Sequence, residues 1–176
     1  FDIRCKNVKN SFDIYHGIVS QNISFDRVLE QIYAFLDENP TEAVIMCVKE
    51  EQAASGSDES FESVLLRYID KNPERFFTKS SIPSLESVRG KIVLLRRFDG
   101  STGYPAFHGW ADNTSFVINN GATSLSVQDY YNIGDKQEKW NSICSFFESA
   151  LPSPSRYYLN NTSGYTEGLF SIPDIP

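Results

Sequence analysis

The stretch Ala43-Val-Ile-Met-Cys-Val48 is apolar throughout. Such a run is typical of a strand that is buried on both faces, like the strands of a parallel sheet. A strand with one solvent-exposed face would instead alternate apolar and polar residues. The stretch Lys91-Ile-Val-Leu-Leu95 predicts a second buried strand of the same kind. Both runs therefore favour a parallel sheet whose strands are connected by helices.

Three segments carry apolar residues at helical spacing. Residues 24–37 predict a helix that Ser24 caps and that Asn39-Pro40 ends. Residues 58–70 and 134–150 predict two more helices. The apolar stripe of the second helix consists of Phe61, Val64, Leu65, Tyr68 and Ile69. The expected buried side of the third helix consists of Trp140, Ile143, Cys144 and Phe147.

The remaining chain predicts further strands, separated by loops. The strands are predicted at residues 1–4, 12–16, 124–128 and 156–159, and the loops at residues 52–57, 71–90 and 99–113. Strands that alternate with helices build either a doubly wound sheet or a TIM barrel. The sequence contains neither GxGxxG nor GxxxxGK[ST], which weakens the nucleotide-binding alternative.

A polar residue closes each of several predicted strands, namely Arg4, His16, Lys49, Arg97 and Asp129. Functional groups at the carboxyl ends of several strands are the arrangement of a TIM barrel. A full barrel usually needs ~250 residues, whereas this chain has 176. We therefore expect an α/β fold, a distorted TIM barrel that is incomplete in this chain, as a single domain over residues 1–176.

Composition limits the possible partners. The net charge of −7 and the pI of about 4.8 argue against a nucleic-acid-binding protein, which needs a basic face. No run approaches the ~18 apolar residues of a membrane-spanning helix. Contact with a membrane surface stays open, because exposed aromatic side chains can bind the interface without net positive charge.

Cysteine spacing and sequons bear on metal binding and on the compartment. The three cysteines, Cys5, Cys47 and Cys144, lack the spacing of a zinc site and allow at most one disulfide. Cys47 and Cys144 fall on apolar stripes and are expected in the core. N-x-S/T sequons begin at Asn22, Asn113, Asn160 and Asn161. They are typical of a secreted, glycosylated protein.

The polar residues at the strand ends indicate a chemistry. Asp2 and Arg4 share one strand face, and Gly17 lets the backbone turn directly after His16. Histidine is the usual proton carrier near neutral pH. The cations Arg4, Lys49 and Arg97 together suit a phosphate or a phosphodiester. Solvated strand ends and a structural histidine are the alternative interpretation of the same residues.

Five blocks of the chain resemble one family, the bacterial-type phosphatidylinositol-specific phospholipase C catalytic (X) domain. They are Phe1-Asp-Ile-Arg4, Tyr15-His-Gly17, the stretch from Ala43 to Lys49, the stretch from Arg89 to Arg97, and Val127-Gln-Asp129. The resemblance implies a secreted, metal-independent phosphodiesterase without a cofactor. Such an enzyme cleaves phosphatidylinositol at a membrane surface to diacylglycerol and a cyclic inositol phosphate.

The resemblance also implies roles for individual residues. His16 would be the general acid that protonates the diacylglycerol oxygen. Arg4 would stabilise the charge of the phosphorane-like transition state, and Asp2 would assist beside it. The residues expected to hold the inositol are Lys49, Arg97, Asp129 and Tyr131, of which the last would stack on the ring.

The family's base histidine lies in a Gly-Thr-His-Asp-Ser-like block that this chain does not contain. We expect that block upstream of Phe1 and further strands downstream, so that the chain is truncated at both ends; the proline-broken tail at residues 171–176 fits this expectation. His108 lacks the expected neighbours and is not predicted to be the base. The complete protein is expected to be a monomer.

Two other functions remain open. The first is a catalytically silent relative that binds an inositol phosphate or a lipid surface. The second is a phosphodiesterase of a neighbouring family, such as a glycerophosphodiesterase or a sphingomyelinase. Those families present acidic metal ligands, whereas here Arg4 and Lys49 stand where acids would be needed.

Overall fold

A computed structural model describes residues 1–165 of the chain. The proline-broken tail at residues 171–176 lies outside the described residues. The contacts divide the chain into two compact units, Phe1–Phe107 and a second unit from His108 onward. Each unit is described by itself, and the single domain expected over residues 1–176 stays a prediction.

The first unit contains seven strands and two α-helices. The strands are β1 Asp2–Val8, β2 Ser11–His16, β3 Val19–Ser24, β4 Val44–Ser55, β5 Phe76–Phe77, β6 Ile92–Arg97 and β7 Tyr104–Pro105. The helices are α1 Phe25–Glu38 and α2 Phe61–Asp70, with 3-10 turns at Pro73–Arg75 and Leu85–Val88. The two predicted helices are confirmed, each with a serine cap: Ser24 accepts from the backbone of Arg27, and Ser60 from that of Ser63.

The strands form one sheet in the order β3-β2-β1-β4-β6-β5, and β7 also pairs with β6. Strands β1, β4 and β6 run parallel, which the apolar runs predict for β4 and β6, while β2 and β3 continue the sheet as antiparallel hairpins. The parallel register aligns Arg4 with Lys49 and Lys49 with Arg97. Three cationic residues therefore lie in one row across three neighbouring strands.

The helices pack on one face of this sheet. All five residues of the predicted α2 stripe are buried. Phe12 of β2 stacks on Phe61 at 4.3 Å and meets Phe25 edge-on at 5.8 Å. The Tyr68 hydroxyl accepts a hydrogen bond from the backbone N–H of Phe12 at 3.1 Å. Each of these side chains contributes about 1.5–3 kcal/mol by leaving water, so they fix which face of the sheet is covered.

Strand alternation then assigns the cation row to the opposite face. Cys5, Met46 and Val48 belong to the core beneath the helices. Arg4 and Lys49 alternate with these residues along the same strands, so they point to the other side of the sheet. The face that does not carry the helix core therefore carries the charged side chains.

Two of the predicted strand ends are wrong. Strand β4 does not end at Lys49, and the predicted loop over residues 52–57 is mostly strand, because β4 continues to Ser55. Strand β1 likewise runs past Arg4 to Val8, and the two extensions pair with each other. Arg4 and Lys49 therefore lie inside strands.

The other strand-end predictions are confirmed. His16 and Arg97 are the last residues of β2 and β6. Asp129 directly follows the last residue of β9 in the second unit.

Within residues 108–165, the second unit contains a three-stranded sheet and one helix. Its elements are β8 Ser115–Asn120, β9 Thr123–Gln128, α3 Lys136–Ser149 and β10 Arg156–Asn160. The sheet order is β10-β9-β8, with β9 and β10 parallel as predicted. Strand β8 was not predicted; it forms a hairpin with β9 around Gly121, whose φ of 70° glycine tolerates.

The predicted buried side of α3 is wrong for Trp140 and Phe147, whereas Ile143 and Cys144 are half-buried. Trp140 and Phe147 are 60% and 76% exposed, and Lys139 is the buried residue of the helix. The helix contacts the strands of its unit through the face that carries Ile143 and Phe146, and Phe146 meets Tyr158 edge-on at 6.1 Å. Cys144 is only half-buried, whereas Cys5 and Cys47 are buried, and all three thiols are free. No helix within residues 1–165 is long and apolar enough to cross a membrane.

Candidate active site

The row of cations is the most concentrated group of charge in the first unit. Arg4, Lys49 and Arg97 sit on adjacent strands, with side chains that are 31%, 30% and 11% exposed. Neighbouring strands lie about 4.8 Å apart, so three positive charges at this spacing repel one another. The row therefore requires carboxylates close by.

Glu51 supplies the central carboxylate. Its Oε2 accepts from Lys49 Nζ at 2.5 Å, and its Oε1 accepts from Arg4 Nη1 at 3.3 Å. Its Oε1 also accepts from the backbone N–H of Gly17 at 2.8 Å. The Glu51 side chain is only 5% exposed. One buried carboxylate thus connects strands β1 and β4 with the turn after β2.

The environment of Glu51 keeps it ionised. Burial acts to raise the pKa of this carboxyl. The hydrogen bonds from Lys49 and from the Gly17 backbone, together with the charges of Arg4 and Lys49, outweigh burial and hold the pKa below its ordinary value. Sequence reasoning missed this residue, although its i, i+2 spacing from Lys49 would have placed both on one strand face.

Asp2 is the second carboxylate of the row. Its Oδ2 accepts from Arg4 Nε at 2.8 Å, and its Oδ1 forms an ion pair with Arg97 Nη1 at 3.6 Å. Burial acts to lower the pKa of Arg4, but Asp2 and Glu51 outweigh it and the pKa is raised. Arg4 is therefore a permanently charged group in a fixed orientation.

His16 lies beside this cluster. It ends β2 and precedes Gly17, whose φ of 57° turns the chain. Gly17 is held from both sides, because its N–H donates to Glu51 and its carbonyl accepts from Gln52 Nε2 at 2.7 Å. The His16 residue is exposed, and within residues 1–165 its imidazole makes no hydrogen bond or ion pair. Both ring nitrogens are therefore available to a ligand.

The second unit holds the two remaining predicted site residues. Asp129 Oδ2 accepts from Trp110 Nε1 at 3.1 Å, and its Oδ1 accepts from Asn161 Nδ2 at 2.9 Å. The Tyr131 hydroxyl donates to Asp112 Oδ1 at 2.6 Å, which raises the pKa of Tyr131 to about 12. The structure therefore places Asp2, Arg4, Lys49 and Arg97 in one cluster of the first unit, and Asp129 and Tyr131 in a cluster of the second.

A buried network lies beneath Asp129. Lys139 Nζ donates to Gln128 Oε1 at 3.0 Å and to the Tyr130 carbonyl. Burial lowers the pKa of Lys139, against the attraction of Asp129. Gln128 is buried as well and donates to the Asn161 carbonyl at 2.9 Å. Helical periodicity could not find Lys139, because a lysine among apolar positions is normally assigned to the solvent side.

No group of three or more His, Cys, Asp or Glu side chains in the described part of the chain is arranged to hold a metal ion. The charged groups that the structure does concentrate are the three cations of the row with their two carboxylates.

Comparison with known proteins gives consistent matches. Residues 1–98 match the family model of the phosphatidylinositol-specific phospholipase C X domain. A 1-phosphatidylinositol phosphodiesterase of Listeria monocytogenes is 33% identical in an alignment of 168 residues that covers 92% of this chain and 50% of that protein. A protein of the same name from Staphylococcus aureus is 34% identical, over 74% of this chain and 46% of that protein. This chain spans about half the length of these curated relatives.

Solved structures agree with the sequence matches. The F249X mutant of the phosphatidylinositol-specific phospholipase C from S. aureus has a TM-score of 0.77 at 29% identity, covering 93% of this chain and 60% of that one. The L. monocytogenes enzyme has a TM-score of 0.66 at 30% identity, covering 94% of this chain and 58% of that one. The predicted fold class, a distorted TIM barrel that is incomplete in this chain, is confirmed.

The role of Glu51 in the cluster is testable through stability. Glu51→Gln keeps the size of the side chain but leaves Arg4 and Lys49 without its charge, so we expect a loss of about 1–3 kcal/mol at pH 7, measured by urea unfolding. Because the folded pKa of Glu51 lies below the unfolded value, its contribution is complete above the unfolded pKa of about 4.3. It disappears as the pH falls through the folded pKa.

The difference in stability between wild type and Glu51→Gln should therefore shrink as the pH falls below about 4.3. Glu30→Gln is the matched control, because its ion pair with Arg27 is 63% exposed on both sides and is worth little. A difference that stays the same between pH 7 and acid would contradict the role given to the Glu51 charge.

Proposed function

We propose a phosphodiesterase function for this chain, because it belongs to the phosphatidylinositol-specific phospholipase C X-domain family. The complete protein cleaves phosphatidylinositol to diacylglycerol and a cyclic inositol phosphate. The observation that supports this proposal most strongly is the register-aligned row of Arg4, Lys49 and Arg97 with its two carboxylates. This row lies within the residues that match the family model.

Arg4 is the group that stabilises the transition state. Attack of the inositol 2-hydroxyl on the phosphorus increases the negative charge on the phosphoryl oxygens. A guanidinium held in place by Asp2 and Glu51 meets that charge without having to reorganise. Asp2 acts through Arg4 and Arg97, which it orients, and its partial exposure leaves room for a hydroxyl of the substrate.

His16 is the general acid. Its imidazolium gives a proton to the oxygen of the departing diacylglycerol while the P–O bond breaks. The exposed ring next to the anchored Gly17 suits a proton donor that must reach a bound lipid. The base that deprotonates the 2-hydroxyl is not assigned to a residue of this chain, and His108 is not given that role.

The residues proposed to bind the inositol are Lys49 and Arg97 in the first unit and Asp129 and Tyr131 in the second. Lys49 and Arg97 donate hydrogen bonds to ring hydroxyls, and the Asp129 carboxylate accepts hydrogen bonds from ring hydroxyls. Asp129 is kept in one orientation by Trp110 and Asn161. Tyr131 contributes its ring, whose plane is fixed by the hydroxyl bond to Asp112 and by stacking on Tyr165 at 5.9 Å between centroids.

The protein reaches its lipid substrate at a membrane surface. It acts there as an extracellular monomer. Ile18 and Val19 are 87% and 59% exposed, and they follow the anchored Gly17 directly. Apolar side chains in such a turn can enter the interface of a bilayer without net positive charge on the protein. This turn therefore supports contact with the membrane close to His16.

A silent protein that binds the headgroup without turnover is the second candidate. Its support is the row of Arg4, Lys49 and Arg97, which can bind a phosphate group whether or not turnover follows. A metal-dependent phosphodiesterase of a neighbouring family is disfavoured, because the row presents Arg4 and Lys49 where such enzymes need acids. The test is release of cyclic inositol phosphate from phosphatidylinositol by the complete protein; binding of the headgroup with no release would support the silent alternative.

Replacing His16 should affect catalysis and leave the fold intact. His16→Ala in the complete protein removes the general acid, so turnover of phosphatidylinositol should fall by about 10²–10⁴-fold. A substrate with a better leaving group than diacylglycerol needs less protonation and should recover part of the loss. His108→Ala is the control and should keep most of the activity. Turnover of His16→Ala close to that of wild type would remove this residue from the mechanism.

The activity should survive chelation. The guanidinium of Arg4 supplies the charge that a divalent ion would otherwise supply, and Arg4 and Lys49 together repel Ca²⁺ from the same place. Turnover of the complete protein is therefore expected to be equal in EDTA and in calcium. A loss in EDTA that calcium restores would refute the proposed role of Arg4.

The exposed turn should matter only when the substrate lies in a membrane. The double variant Ile18→Ser, Val19→Ser should lose activity on phosphatidylinositol vesicles, because burying those two side chains in the interface contributes a few kcal/mol. Cleavage of a soluble short-chain phosphatidylinositol below its micelle concentration should stay close to wild type. Leu85→Ser, at a 56% exposed leucine elsewhere, is the matched control. Equal losses on both substrates would argue against membrane contact through this turn.

A further inference from the structure

The four sequons differ in how the folded chain uses the asparagine side chain. At three of them the amide nitrogen Nδ2 donates a hydrogen bond within the second unit. Asn113 donates to the Asn132 carbonyl at 3.0 Å, Asn160 to the Ile143 carbonyl at 2.9 Å, and Asn161 to the Asp129 carboxylate at 2.9 Å. All three asparagines are half-buried.

The oxygen atoms of two of these asparagines are engaged as well. Asn113 Oδ1 accepts from the backbone N–H groups of Tyr131 and Asn132 at 3.0 Å and 2.9 Å. Asn160 Oδ1 accepts from Gln128 Nε2 at 2.8 Å. A sugar attached to either amide would have to displace packed chain or break these bonds, which costs about 1–3 kcal/mol for each buried group left unpaired.

Asn161 is unsuitable for a different reason. Its amide holds the carboxylate of Asp129, a residue placed above among those that bind the inositol. A glycan at this nitrogen would occupy the space beside that carboxylate. The fold therefore disfavours a glycan at all three sequons of the second unit.

Asn22 is the exception. It is exposed in β3, and its Nδ2 makes no hydrogen bond within the described range of the chain, residues 1–165. Its φ of 54° lies in the left-handed region, which asparagine adopts more readily than most residues, and its backbone N–H donates to Ser20 Oγ at 3.1 Å. The left-handed backbone conformation therefore accounts for an asparagine at position 22, and its side-chain amide is available to another group.

The position of β3 adds a reason for a covering group. Among the strands of residues 1–165 it is the end strand of its sheet, and there it pairs with β2 alone. An exposed edge can pair with another chain, and proteins cover such edges in several ways. A bulky, hydrophilic group on β3 would hinder that association.

We propose that Asn22 is N-glycosylated and that it is the occupied sequon of this chain. The transferred group is an oligosaccharide carried by a polyprenyl diphosphate lipid. The Asn22 Nδ2 forms a bond to C1 of the first sugar, the bond from C1 to the phosphate oxygen breaks, Nδ2 loses a proton, and the polyprenyl diphosphate leaves. Ser24 completes the sequon and also caps α1. The proposal requires a secretory route, and its exclusion of Asn161 rests in part on the proposed inositol-binding role of Asp129.

The test is expression of the complete protein behind a signal peptide in a eukaryotic secretory host, with analysis of the total cell and medium protein. Peptide:N-glycosidase F converts each glycosylated asparagine to aspartate, which peptide mass mapping identifies. We expect conversion at Asn22 and unmodified asparagine at the other three sequons. An unmodified Asn22, or a glycan at Asn113, Asn160 or Asn161, would overturn the proposal.

Two variants separate the glycan from effects on folding. Asn22→Asp removes the acceptor nitrogen but keeps a residue type that tolerates positive φ, so the glycan should disappear while the unfolding midpoint stays equal to that of wild-type protein produced without glycosylation in a bacterial host. Ser24→Thr keeps both the sequon and a capping hydroxyl, so the glycan should remain. Loss of the glycan in Ser24→Thr, or a glycan that persists in Asn22→Asp, would contradict the assignment to this sequon.

Discussion

The carboxylate of Glu51 is the interaction on which the candidate active site depends. Three cations on adjacent strands repel one another, and a sheet does not place them side by side without compensation. Glu51 is buried and accepts hydrogen bonds from Arg4, from Lys49 and from the backbone of Gly17. The same carboxylate therefore neutralises part of the row and fixes the turn next to His16, so charge stabilisation and proton donation are arranged by one side chain.

The helix core determines that this cluster forms on one face. Side chains alternate along a strand, so a slip of one residue would move the whole charged set to the other face. Burial of Cys5, Met46 and Val48 beneath α1 and α2 opposes such a slip. The parallel register then aligns Arg4 with Lys49 and Arg97. The position of the charged side chains on one face of the sheet is therefore a consequence of the apolar residues that pack against the helices on the other face.

Apolar periodicity predicted the parallel strands, the three helices and the α2 stripe, because burial of large side chains dominates those elements. It failed where another interaction decides. The extension of β4 to Ser55 depends on pairing with β1, which no local pattern shows. Trp140 was predicted to be buried, but α3 buries Lys139, whose ammonium finds Gln128 as a partner. Sequence reasoning missed Glu51 because its carboxylate acquires Gly17 and Arg4 as hydrogen-bond partners only in the folded chain.

A double-mutant cycle between Lys49 and Glu51 tests the central claim most directly. The free energies of unfolding of wild type, Lys49→Met, Glu51→Gln and the double variant would be measured in urea at pH 7. If the carboxylate exists to compensate the row, the two substitutions are coupled by about 1–3 kcal/mol, and the double variant is less destabilised than the sum of the single ones. A coupling energy below about 0.3 kcal/mol would show that the two substitutions act independently and would contradict the account.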